Sequence, residues 1–309
     1  MSLRRWQSSQ INNGNTNKIS IGKIRRNKVM LSFIIIILLF SLVYNIYNNN
    51  KIKVVEQDVI LSDLKETFEN FKILQITDLH EKRFGQDQKK LIDLINKLDY
   101  DIIVVTGDIV NNDTKDINPF EDLIKGINKK DLIFFVNGNN DPKVFLEDEL
   151  TTFGKKLKEI GCILLDKPYA IKRGEDTLWI LQHFYNLDKE SRYAKEIKDN
   201  DIKIGLTHYP MDKETYNEFL KPDDIMYDLV ICGHYHGGQV RIPFLGALYI
   251  NKGGLNGLFP LEKEVSGLQE EGTFRQYISR GLGASGPKFL AFRVFNTPEI
   301  NVITLKSKI

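Results

Sequence analysis

Nineteen consecutive residues, Val29 to Tyr47 (VMLSFIIIILLFSLVYNIY), carry no charged side chain. As a helix, at about 1.5 Å per residue, they cover roughly 28 Å, close to the thickness of a bilayer core. A buried core helix is the alternative. It would be expected to show an amphipathic face, and four consecutive Ile followed by two Leu show none. Tyr44 and Tyr47 stand where interfacial aromatics are expected. The segment therefore divides the chain into 1–28, a polar tail expected to be disordered; 29–47, a transmembrane anchor; 48–70, a stalk; and 71–309, a folded domain.

Charge is distributed to match. The first 28 residues hold seven Lys and Arg and no acidic residue, whereas the remainder holds 36 basic against 41 acidic side chains. The formal net charge of +2 thus hides a basic tail on a mildly acidic body. The positive-inside rule puts the N-terminus in the cytoplasm and the body outside, a single-pass protein of the cell membrane. An acidic body argues against a nucleic acid as its partner. A cleaved signal peptide is the alternative to an anchor, but the apolar run exceeds a usual h-region and no small-x-small site follows it. Arg25-Arg26 is followed by Asn27-Lys28 instead of apolar residues, which argues against a twin-arginine signal. Two cysteines, Cys162 and Cys232, exclude a disulfide framework and a Cys-rich zinc site; they read as small buried residues that could form at most one bridge.

Beyond Phe71 the pattern alternates. Apolar runs at 72–77, 102–106, 132–136, 202–207 and 228–233 read as strands, and Leu91, Ile92, Leu94, Ile95 and Leu98 keep helical spacing between the first two. Near-continuous apolar strands separated by helices predict a largely parallel sheet buried on both faces. The stretches 162–182, 239–250 and 276–305 read as shorter strands of a second sheet within one α/β domain.

The ends of the five strong strands carry the chemistry: Asp78 and His80, then Asp108, then Asn139, Asn140 and Asp141, then His208, then His234 and His236. Four of the five histidines lie there. In open α/β sheets ligands bind at the carboxyl ends of strands. Imidazole with carboxylate suits Mn, Fe or Zn better than Mg or Ca. Six or seven such groups exceed one tetrahedral ion and suit two ions sharing a bridging carboxylate.

The order D-x-H, G-D, G-N-x-D, H, G-H-x-H resembles the calcineurin-like metallophosphoesterase superfamily, and 278–305 is similar to the C-terminal strands of its membrane-anchored or exported bacterial branch. The resemblance implies a four-layer α/β/β/α sandwich of two mixed sheets. It implies that Asp78, His80 and His236 hold one metal, that Asn139, His208 and His234 hold the second, and that Asp108 bridges them. It implies in-line hydrolysis of a phosphodiester, phosphomonoester or pyrophosphate bond; the membrane anchor places the site near lipid head groups and equally serves an enzyme acting on extracellular nucleotides. The chain departs from the family block G-N-H-D/E, having Asn140 where the imidazole stands. In the family that imidazole meets the phosphoryl oxygen or the leaving group, and the acidic neighbour, here Asp141, orients it. Asn140 can donate a hydrogen bond but cannot deliver a proton near neutral pH. A weakly catalytic or non-catalytic metal- and phosphate-binding protein is therefore the alternative expectation.

Other signals are weaker. Gly281 to Gly286 matches G-x-G-x-x-G, but Pro287 follows where a dinucleotide-binding helix would open, so a glycine-rich loop beside the metal site is expected. Arg241 and Arg280 are expected in ion pairs, Tyr235 to point inward, and His183 to be structural or at the surface.

Overall fold

The computed structural model describes residues 3–147, 149–182, 195–212, 226–250, 257–272, 274–286 and 291–308, with side chains from Lys23 onward apart from Ile24. His183 lies outside the described residues. The N-terminal unit, 1–47, and the unit 48–309 each make their own internal contacts.

Helix α1, Leu3–Asn49, is one continuous helix. Its stretch Arg25–Asn49 is long and apolar enough to cross a membrane. The helix also runs through 3–28, which composition alone marked as disordered; no proline interrupts that stretch.

The strands of the second unit are, in chain order, β1 Lys53–Leu61, β2 Lys72–Ile76, β3 Ile102–Val105, β4 Ile133–Phe135, β5 Phe145–Leu146, β6 Glu149–Leu150, β7 Cys162–Leu164, β8 Tyr169–Arg173, β9 Asp176–Gln182, β10 Ile202–Leu206, β11 Leu229–Cys232, β12 Arg241–Ile242, β13 Gly246–Ala247, β14 Gly267–Glu271, β15 Phe274–Ile278 and β16 Glu299–Ser307. Two six-stranded sheets result, ordered β1-β16-β2-β3-β4-β7 and β14-β15-β11-β10-β9-β8. Both are mixed. In the first, β16 runs antiparallel to β2 while β2, β3, β4 and β7 are parallel; in the second, β9, β10, β11 and β15 are parallel with β8 and β14 antiparallel at the edges.

Two expectations are corrected. Residues 48–70 are not a stalk: β1 pairs with β16 over nine residues, and Leu64 and Phe68 are buried in the core. Val59 and Leu61 turn inward along β1 while Ile60 between them is exposed, and the polar run Glu56, Gln57 and Asp58 before them masks the strand in the sequence. The five strong strands also do not share one sheet. β2, β3 and β4 belong to the first, and β10 and β11 join the second, because each sheet is built around its own parallel centre.

The strand period of two separates the cores. Leu74, Ile76, Ile103, Val105, Ile133 and Phe135 face Leu91, Phe120, Leu123 and Leu157 of the helices α2 Lys89–Ile95, α3 Asn118–Gly126 and α4 Thr152–Glu159. Ile73, Ile102, Val104 and Phe134 turn the other way and meet Ile180, Ile202, Ile204, Leu229 and Ile231 between the sheets. Thr151 caps α4 by accepting from the Gly154 amide at 3.1 Å. Outside the second sheet, Trp179, Leu181 and Val230 form a further apolar cluster. The expected outer helical layer involves the connections 183–194 and 213–225, which lie outside the described residues. Cys162 and Cys232 are free and buried.

Candidate metal centre

The loops after β2, β3, β4, β10 and β11 converge, and with them every ligand candidate named from the sequence. Five of those residues occupy left-handed backbone: Asp78 at φ 52°, His80 at 46°, Asp108 at 53°, His234 at 71° and His236 at 51°. Non-glycine residues adopt that region at a cost and retain it where surrounding structure demands it. Here the demand is visible. The amides of Asp78 and His80 donate to the carbonyls of Gly107 and Asp108, and the His234 amide donates to Asp78 Oδ2 at 3.1 Å. Gly138 packs so tightly on the next loop that a Cβ would lie 2.1 Å from Asp108 Oδ1. Gly281, at φ 67°, leaves no room for a Cβ beside Asp78, so the glycine-rich loop does border the site.

The carboxylates and imidazoles form two linked groups. Asp78 Oδ1 lies 4.0 Å from His80 Nε2 and 3.5 Å from His236 Nε2. Asp108 Oδ2 lies 3.5 Å from His80 Nε2 and 3.3 Å from His208 Nε2. His208 Nε2 is in turn 3.2 Å from Asn139 Oδ1 and 3.1 Å from His234 Nδ1.

Hydrogen bonds on the far sides of the rings test whether metal ions fit. His208 Nδ1 donates to the Thr106 carbonyl at 2.8 Å, and His80 Nδ1 meets Asn111 Oδ1 at 3.2 Å. With Nδ1–H fixed as donor, the neutral ring turns a bare Nε2 lone pair inward. His80 Nε2 and Asp78 Oδ1 are buried and have no hydrogen-bond partner. Unpaired buried acceptors facing one another are costly, and a cation between them removes the cost.

The titration behaviour agrees. Burial pushes Asp78 up to about 7 and His80 down to about 4. Burial also opposes charge on Asp108 and His208, but the pair overcomes it: Asp108 is held at about 2 by His208, and His208 is lifted to about 9 by Asp108. Asp108 and His208 thus stabilise each other's charged forms at the point where a divalent ion would bind.

Asp141 has a different role from the orienting one expected. Its carboxylate accepts from the amides of Asp108, Ile109 and Gly138 at 2.8–2.9 Å and of Val110 at 3.3 Å. It ties the β3 and β4 loops together. Asn140 turns to Asp108, donating from its amide nitrogen at 2.8 Å to Oδ1 and from Nδ2 at 2.6 Å to Oδ2.

Sequence reading missed Asn111 and Arg293. Asn111 follows Asp108 by three residues in the same loop, and that proximity was its only signal. Arg293 is fully buried and donates to the carbonyls of Gly283, His236 and Arg280. A lone arginine inside the run FLAFRVF was the available clue. Arg241 and Arg280 both pair with Glu262, as expected. Tyr235 packs inward against Ala247, Ile250 and Val265. A cleft of about 490 Å³ opens over Asp108, Asn139, Asn140 and His234, with Val240, Leu248, Tyr249 and Ile250 as an apolar wall.

The calcineurin-like phosphoesterase family model matches residues 71–238, more than half of the chain. The chain belongs to this family. It is a metal-dependent phosphoesterase, a hydrolase. It is similar to an uncharacterized metallophosphoesterase of Bacillus subtilis, YkuE (29% identity over 264 residues, 83% of this chain and 86% of the relative). It is similar to the phosphodiesterase YaeI of Escherichia coli (27% over 266 residues, 79% and 86%). An uncharacterized metallophosphoesterase of Campylobacter jejuni matches at 26% over 287 residues, covering 91% of this chain and 71% of the relative. Family membership therefore agrees with the ligand groups, the two mixed sheets and the motif order.

Proposed function

We propose that this phosphoesterase is anchored in the cell membrane by residues 29–47, N-terminus cytoplasmic, and hydrolyses phosphoesters outside the cytoplasm with two divalent ions, Mn, Fe or Zn. The observation that carries the reading is Asp108 Oδ2, shared between His80 on one side and His208 on the other. Asp78, His80 and His236 would hold one ion, and Asn139, His208 and His234 the other, with Asp108 common to both. The chemistry that divalent ions supply when bound is charge neutralisation at the phosphoryl group and acidification of a water.

The protein's own groups do the rest. Asp141 and the close Gly138 contact fix Asp108 in its strained backbone. Asn140 Nδ2 braces Asp108 Oδ2 at the cleft floor, where it also faces an incoming ester. The amide side chain of Asn140 cannot protonate a leaving group, so activated aryl esters and phosphoanhydrides are the favoured substrates. A lipid diphosphate and a nucleoside di- or triphosphate both present a phosphoanhydride.

The full-length chain in detergent micelles, stripped and reloaded with Mn²⁺, tests the reading. It should bind close to two ions and hydrolyse bis(p-nitrophenyl) phosphate only when loaded. Stoichiometric binding of a single ion with full activity would overturn the two-ion assignment. Protease added to intact cells without walls should digest the 71–309 domain; protection until the membrane is broken would invert the orientation.

A further inference from the structure

Directly after the last ligand, His236, the chain builds a surface that an ordinary soluble face does not explain. Strands β12 and β13 are joined by a turn in which the Leu245 amide donates to the Ile242 carbonyl. Pro243 takes the second position and Phe244 the third, at φ 69°. That third position of a type II turn calls for glycine or asparagine. Here it holds a phenylalanine that is fully exposed, with Leu245 beside it 71% exposed. Both the backbone and the side chain are unfavourable in water.

The tip is not isolated. The neighbouring ladder, in which Leu248 and Ile250 bond Phe259 and Gly257, leaves Phe259 60% and Leu261 59% exposed. The other side of the same segment forms the apolar wall of the catalytic cleft, through Val240, Leu248 and Ile250.

Chain connectivity supplies the partner. Asn49, the last residue of α1, donates from Nδ2 to the Arg293 carbonyl at 2.7 Å, and its Oδ1 accepts from the Arg293 amide at 3.0 Å. The next residue, Val294, bridges to Val240, and the Arg241 amide donates to the Val294 carbonyl at 2.9 Å. Phe295 lines the same recess as Phe244 and Leu245. The chain thus enters the 48–309 unit at the base of the apolar hairpin.

We propose that the Phe244–Leu245 tip, with Phe259 and Leu261, inserts into the lipid interface beside the point where the chain leaves the membrane, holding the cleft against the bilayer. Side chains that protrude at full exposure beside an open recess suit a fluid lipid surface better than a protein partner. This inference rests on the anchoring proposed above.

The test uses the full chain in vesicles of phosphatidylcholine with phosphatidylglycerol. Phe244→Cys carries an environment-sensitive fluorophore, with Glu175→Cys in the exposed β8–β9 turn, at the amino-terminal ends of the parallel strands and so opposite the metal centre, as control; Cys162 and Cys232 are buried and escape labelling. Spin-labelled lipid should quench the probe at 244 at least about threefold more strongly than at 175, as for a group below the headgroups. Equal weak quenching at both positions in a chain that resists alkaline extraction overturns the insertion and leaves the anchor standing. Blue-shifted emission without lipid quenching means a second copy or another protein covers the tip, and also overturns it. Loss of the chain from the vesicles on extraction sinks both readings. Phe244→Asp with Leu245→Asp should abolish insertion, read from a probe at Phe259→Cys, while leaving hydrolysis of bis(p-nitrophenyl) phosphate unchanged.

Discussion

The two halves of the metal centre differ in how far they are closed. Asp78, His80 and His236 are all buried, and each is held from behind: Asp78 by Thr77 and the His234 amide, His80 by Asn111, His236 by the buried Arg293. In the other half only His208 is buried; His234 is half-buried and Asn139 exposed at the cleft. The closed half has fixed geometry and dry surroundings, so its charges are felt strongly. The open half keeps a neutral amide and access to solvent, where a substrate must arrive. With two ions bound as proposed, the closed half would retain its ion and the open half would exchange it.

The largest effect comes from the one residue both halves share. Asp108→Asn should lower hydrolysis of bis(p-nitrophenyl) phosphate by more than about 10³-fold, because charge at both halves is lost together. Asp113→Asn, five residues on but outside the site, should leave the rate unchanged. Equal losses in both variants would show that Asp108 is not the common point.

Metal removal distinguishes the halves themselves. Titration with a chelator should strip the ions in two steps, with activity lost in the first, when the exposed Asn139 side releases its ion. Each ion that binds only the folded chain adds about 2.7 kcal/mol of stability at a concentration 100-fold above its dissociation constant. Thermal stability should therefore fall in the second step as well, after activity has gone. Protons compete for the same groups. Asp78, pushed up to about 7, and His208, lifted to about 9, must both lose protons to bind an ion. Metal affinity should consequently rise with pH from about 6 to about 10. Affinity that is flat over that window, or simultaneous loss of both ions, would remove the distinction.

A smaller effect sharpens it. Asn111→Ala frees Nδ1 of His80 without touching a ligand. Outer-shell changes of this kind typically cost about 10–100-fold in affinity or activity. The loss should fall on the closed half alone, seen as the tightly held ion becoming the weaker one.

Much of this site was legible because strand ends are easy to find in a chain with five apolar runs. Asp78, His80, Asp108, His208, His234 and His236 each follow such a run by one to four residues. What the sequence hid depends on distant partners. β1 buries Val59 and Leu61 on either side of an exposed Ile60, after a polar run, and gains its identity only from β16, some 240 residues later. Asp141 looks like an orienting acid because of its neighbour, but the amides it accepts come mostly from the β3 loop, more than thirty residues earlier. Such long-range hydrogen bonds leave no periodic trace. The Pro243–Leu245 tip was readable as a turn, but its exposure was not, since an apolar dipeptide in a short hairpin usually faces inward.

The subtlest test concerns Asn140. If this position were only a vacated acid, Asn140→Ala would leave activated esters untouched. The structure gives the side chain a second task, since Nδ2 donates to Asp108 Oδ2 at 2.6 Å. Asn140→Ala should therefore slow aryl and alkyl phosphoesters by the same factor, about 10–150-fold, the scale of one lost hydrogen bond to a charged group at about 1.5–3 kcal/mol. Asn140→His restores a ring that can donate both a hydrogen bond and a proton. General acid catalysis contributes about 10²–10⁴-fold where the leaving group needs protonation. Asp141 is occupied by backbone amides and cannot also steer that ring, so the gain should fall near or below the bottom of this range. The alkyl-to-aryl rate ratio should still rise in the His variant and stay constant in the Ala variant. A constant ratio in both would make Asn140 a brace for Asp108 and nothing more. A ratio that falls on Asn140→Ala would show that the amide itself assists the leaving group, which a side chain without an acidic proton can do only by hydrogen bonding.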